Sequence, residues 1–60
     1  MDNYALYALD YLLQTKETSG KYDITRARAH LYDWRNVMTK EDYLATYELM
    51  NRIVAQDAKS

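Results

Sequence analysis

Residues 24–38 read ITRARAHLYDWRNVM, and this stretch decides the fold. Ile24, Ala27, Leu31, Trp34 and Met38 recur at steps of three, four, three and four, the spacing of one face of an α-helix. Arg26, Ala29, Asp33 and Asn36 fall on the opposite side, which water can cover. A half-buried strand would alternate apolar and polar residues with a period of two, and no part of the chain does so. Asp23, or failing that Thr25, stands where a side-chain oxygen can cap a helix beginning at Ile24.

Working outward, the next break toward the C-terminus lies around Asn36 to Thr39. Thr39 followed three residues later by Asp42 resembles a capping box, with Asp in place of the usual Glu or Gln. Beyond it Tyr43, Tyr47, Met50 and Val54 form a second apolar stripe, widened by Leu49 and Ile53. Glu48 and Arg52 stand four apart in the favourable order on its outer side. Toward the N-terminus, Thr18-Ser19-Gly20 ends a first apolar segment. The reading is therefore an all-α, three-helix domain covering residues 1–60, with helices over 3–16, 24–37 and 40–57. Helices two and three are expected to form an antiparallel hairpin. The expected core is Leu6, Leu9, Leu13, Ile24, Leu31, Trp34, Tyr47, Met50 and Val54, with Trp34 the side chain whose loss would cost most.

The first helix is the odd one. At about 100° per residue, Leu6, Leu9, Leu12 and Leu13 cover one side, while Tyr4, Tyr7 and Tyr11 gather on the side roughly opposite. Asn3, Asp10 and Gln14 make only a narrow polar strip. A helix apolar nearly all round expects burial on more than one side. The leucine side is expected to meet helices two and three, which leaves the tyrosine side for a second copy or another protein. Tyrosine suits such a contact, with a large rigid ring and a hydroxyl that tolerates water. The competing reading is that the tyrosines widen the chain's own core.

Composition points the same way. Sixty residues form one domain and bury only about 60% of the surface the unfolded chain exposes. Such a core supplies roughly 3–5 kcal/mol, so small folds commonly add a disulfide, a metal or a partner. There is no cysteine and a single histidine, His30, so a partner chain, or very good helix packing, is the remaining stabiliser. The formal net charge of −1 gives no long-range attraction to nucleic acid or acidic lipid. No run of residues has the length and apolarity of a membrane span, and Asp2 and Asn3 stand where an export signal carries basic residues. The expected location is the cytoplasm.

Chemistry is poorly provided for. Ser19 lies in a loop, Ser60 is the last residue, and neither shares a rigid element with His30. One glycine cannot build a phosphate-cradling loop. His30 and Asp33 could face one way on helix two, but a third metal ligand has no source. No enzyme activity, small-molecule substrate, metal or other cofactor is expected. The alternative to a protein-binding module is a dimeric helix-turn-helix-like DNA-binding regulator, in which Arg26, Arg28 and Arg35 touch phosphate. Against it, the third helix carries Glu41, Asp42, Glu48 and Asp57 against Lys40 and Arg52. The preferred reading is an adaptor, inhibitor or regulator that self-associates or docks on another protein through helix one. Small plain chains of this kind are common among accessory proteins of phages and mobile elements.

Overall fold

The computed structural model describes residues 3–59. Three helices follow one another: α1 (Tyr4–Ser19), α2 (Ile24–Asp33) and α3 (Lys40–Lys59), and each packs on the other two. Among the described residues there is no strand. Side-chain caps set the three beginnings. Asn3 Oδ1 accepts from the Leu6 N–H at 3.2 Å, Asp23 Oδ1 from Arg26 N–H at 3.0 Å, and Thr39 Oγ1 from Asp42 N–H at 3.0 Å. Glu41 and Asp42 in the first turn of α3 add charge of the sign its N-terminus favours.

The ends differ from the sequence reading in three places. α1 runs through Thr18 and Ser19 and stops at Gly20, which alone makes the turn. Gly20 has φ +84° and donates its N–H to Lys16 O at 2.7 Å, a left-handed cap that glycine adopts without strain. Ser19 is still helical, and its hydroxyl donates back to Thr15 O at 2.8 Å. α2 ends at Asp33, four residues before the expected 37. There the ladder tightens: the N–H groups of Trp34, Arg35 and Val37 donate to Leu31, Tyr32 and Trp34 carbonyls, each three residues back. The Arg35 guanidinium also donates to Tyr32 O at 2.9 Å, satisfying a terminal carbonyl. The apolar period of Trp34 and Met38 continues through this turn, which is why spacing alone reads it as helix. α3 extends to Lys59, two residues past the expected end.

The centre of the core is Ala8, Leu12, Ala27, Leu31 and Met50, all fully buried. Around it pack Leu9, Tyr11, Tyr22, Ile24, Trp34, Met38, Tyr43, Tyr47, Ile53 and Val54, each partly buried. Leu31 and Met50 thus lie at the expected centre, and Leu9, Ile24, Trp34, Tyr47 and Val54 line it. Leu6 and Leu13 do not: they are 60% and 45% exposed. α1 is rotated from the leucine-in phase, so that Ala8, Leu12 and Thr15 point inward.

Two causes fix that rotation. Ala8 and Ala27 are small, so burying them lets backbones approach where a leucine on each side would not fit. Thr15 is buried and fully bonded there. Its hydroxyl donates to Leu12 O at 2.6 Å and accepts the Asp23 N–H at 3.0 Å, tying this face of α1 to the residue that caps α2. Thr46 is handled alike, donating to Asp42 O at 2.7 Å inside α3.

Candidate interaction surface

The tyrosines of α1 sit on the flank that meets α2. The Tyr4 ring packs edge-on against Trp34 with centroids 5.4 Å apart, and Tyr7 does so at 5.9 Å. Tyr4 and Tyr7 also meet each other edge-on at 6.1 Å. One turn further along, Tyr11 stacks on His30 at 4.2 Å and 13° between planes, and His30 tilts against Trp34 at 4.6 Å. The five rings form one continuous string along the α1–α2 seam. Offset-stacked and edge-to-face pairs of this kind add about 0.5–1.5 kcal/mol each beyond their buried area. Tyr4 and Tyr11 are half-buried, whereas Tyr7 keeps 51% of its surface exposed. Of the three tyrosines, Tyr7 is the one that presents its ring most openly to the outside.

The leucines turned outward make the other surface of α1. Leu6 and Leu13 are seven residues apart, with Asp10 between them and Glu17 beyond, all exposed along one outer strip. The flank of α1 carrying Leu9 and Lys16 faces α3, where Lys16 forms an ion pair with Asp57. Lys16 Nζ also lies 4.9 Å from the centre of the Tyr22 ring. The hydrogen bond that Lys16 donates to Asp57 holds its pKa above the usual lysine value, against the smaller opposing effect of desolvation. At the other end, Asn3, Tyr4 and Ala5 border an open recess of about 400 Å³ together with Val37, Met38, Thr39 and Asp42.

The arginines of α2 and of the turn after it are not gathered on one ridge. Arg28 reaches α3, where its guanidinium donates to Asn51 Oδ1 and lies 4.9 Å from the Tyr47 ring centre. Its Nε is buried without a hydrogen-bond partner. Arg35 folds over Tyr32, 3.9 Å from the ring centre. Arg26 is exposed and lines a separate, shallow recess of about 200 Å³ with Tyr11, Gln14, Thr18 and Asp23. Among the described residues no group of three or more His, Cys, Asp or Glu could hold a metal ion. No described helix is long and apolar enough to cross a membrane.

Leu6 and Leu13 as surface residues escape a reading based on hydrophobic spacing. A usable signal was present: the acids at Asp10 and Glu17 follow them by four residues each, on the same strip. Comparison with known proteins finds no matching family model, no matching curated protein and no matching solved structure.

Proposed function

We propose that this chain is a small non-enzymatic interaction module, an adaptor, inhibitor or regulator of the cytoplasm, which docks through α1 onto itself or another protein. In this reading α2 and α3 form an antiparallel hairpin joined by the tight turn at 34–37, and Arg28 of α2 bridges to Tyr47 and Asn51 of α3. α1 lies across the hairpin and offers its outer surface to the partner. The observation that carries this is the exposure of Leu6, Tyr7 and Leu13 at 60%, 51% and 45% after α1 has closed the core. Leu6 and Leu13 share one outer strip and Tyr7 stands on the flank toward α2, and these exposed apolar side chains support reading α1 as a contact surface. Tyr7 remains part of the docking surface, with Tyr4 and Tyr11 supporting it from within.

The test is affinity capture by the tagged chain from cell extract supplemented with the untagged chain. Leu6→Glu/Leu13→Glu and Tyr7→Glu variants are compared with wild type, after circular dichroism has confirmed that helix content is retained. The expected result is loss of the captured protein, or of the untagged chain, from at least the double-leucine variant. Capture of the same set by wild type and every variant would defeat the reading.

A further inference from the structure

His30 is the single histidine of the chain, and its ring packs on two others where α1 meets α2. The Tyr11 ring lies nearly parallel to it, at 4.2 Å between centroids and 13° between planes. The Trp34 ring meets it from just past the end of α2, at 4.6 Å and 57°. A cation within about 6 Å of an aromatic centroid is attracted by the ring, most strongly by tryptophan. Neutral, His30 is one more ring in the string. Protonated, it is a cation held within that reach of both neighbours. The backbone acts in the same direction, because His30 stands in the last turn of α2, where the negative end of the helix dipole favours positive charge. The side chain is half-buried. Among the described residues the one buried side-chain nitrogen or oxygen without a partner is Arg28 Nε. The His30 nitrogens, which make no hydrogen bond within the chain, therefore reach water, and a proton added there strands no charge.

The charges around His30 are mixed and exposed. On α2, Arg26 stands one turn before it and Asp33 three residues after it. Arg26 borders the shallow recess beside Tyr11 together with Asp23, so that an acid accompanies the base. Arg35, just past the helix end, is folded over Tyr32. From α1, Tyr11 faces His30 directly, and Tyr7 lies beyond on Trp34. Tyrosine hydroxyls are uncharged in the range where histidine titrates. Asp10, next to Tyr11 in the chain, accepts a hydrogen bond from Gln14 at 2.8 Å. α3 brings no ring or charge to His30. Asp10, Asp23 and Asp33 against Arg26 and Arg35 leave the neighbourhood slightly acidic, which does not oppose a further proton.

We propose that His30 is an acid-driven clamp, which on taking up a proton fastens α1 to α2 more tightly through the rings of Tyr11 and Trp34. One proton is added to the imidazole and no other bond changes. In the folded chain the imidazolium gains two aromatic neighbours and a helix end, and in the unfolded chain it has neither. Its stabilisation is therefore complete at mildly acid pH and is lost as pH rises through the range, around 6.5, in which histidine gives up its proton. The clamp makes the hold on α1 depend on pH, whatever that helix docks to.

The experiment is chemical denaturation of wild type, His30→Phe and His30→Gln at steps from about pH 8 to about pH 5. Phenylalanine keeps a ring in the string and glutamine does not, and neither takes up a proton, so whichever variant folds serves as the baseline. Relative to it, the folded-to-unfolded ratio of wild type should rise roughly fivefold on acidification across that range. Tyr11→Leu keeps His30 and the helix end but removes the stacked ring, and it should lose a large part of the rise. A wild-type ratio that stays level with the baseline, or falls below it as pH drops, would overturn the clamp. A full rise in Tyr11→Leu would overturn it too, because the proton would then act elsewhere than on the seam between α1 and α2.

Discussion

α2 and α1 carry similar apolar content into the same core, yet their sequences specify orientation with very different force. On α2 one stripe is apolar and the rest is polar, so there is a single way to bury it, and Ala27 and Leu31 lie fully inside as their spacing demands. On α1, Leu12 and Leu13 are neighbours 100° apart on a helix apolar almost all round. One is fully buried and the other 45% exposed. What separates them is not hydrophobicity, since they are the same residue. Ala8, one turn before Leu12, is fully buried, and Thr15, nearly one turn after, accepts the N–H of Asp23, the residue that caps α2. The lesson is that on an evenly apolar helix the small and hydrogen-bonding residues choose the phase.

The largest effect that tests this comparison falls at the seam itself. Trp34, just past the end of α2, continues its apolar stripe and touches Tyr4 and Tyr7 of α1 and His30 of α2. Trp34→Ala should cost about 3–5 kcal/mol, most of what a fold this size has. Chemical denaturation monitored by circular dichroism measures it. A cost under about 1 kcal/mol would mean that the ring string contributes little and that α1 is held some other way.

The next effect breaks the comparison within α1 directly. Leu12→Ala should destabilise by about 2–5 kcal/mol, whereas Leu13→Ala, a change of the same atoms one residue along, should stay within about 0.5 kcal/mol in the monomer. Equal losses would put both leucines in the core and refute the rotation of α1. Carried out at high and low concentration, the same pair also tests the proposed self-association through α1. Leu13→Ala should become more costly only where chains associate, because burial then occurs between copies.

The same contrast explains how much could be read in advance. Three helices, the caps Asp23 and Thr39, the break at Gly20 and the central places of Leu31 and Met50 all follow from local spacing and capping chemistry. These signals act within one or two turns and need no knowledge of neighbours. The rotation of α1, the early end of α2 at Asp33 and the dispersal of Arg26, Arg28 and Arg35 depend on contacts between helices. Thr15 reads as an ordinary polar helix residue until Asp23, eight residues on, presents its N–H. Arg28 reads as a phosphate-binding cation until Asn51 and Tyr47, about twenty residues on, receive it. For the proposed docking surface, composition pointed to α1, and only packing could say which side of that helix faces out.

The smallest effect concerns how α1 is fastened to α3 as opposed to α2. Toward α2 the attachment is aromatic and half-buried. Toward α3 its polar part is the partly exposed Lys16–Asp57 pair at the far end. Exposed pairs contribute little individually, but this one has a pH signature. Because Asp57 raises the Lys16 pKa in the folded state, the stabilisation is complete below the unfolded lysine value of about 10.4 and is lost as pH rises through the higher folded value. Wild type should therefore exceed Lys16→Met in stability by a constant margin from neutral pH to about pH 9.5, and the margin should shrink above that. Tyrosines titrate in the same range, so the comparison is repeated in an Asp57→Asn background, where the shrinking margin should disappear. A margin that stays parallel through the alkaline range, or that survives Asp57→Asn unchanged, would show that Lys16 holds α1 to α3 through its alkyl stem and the Tyr22 ring instead of through its charge on Asp57.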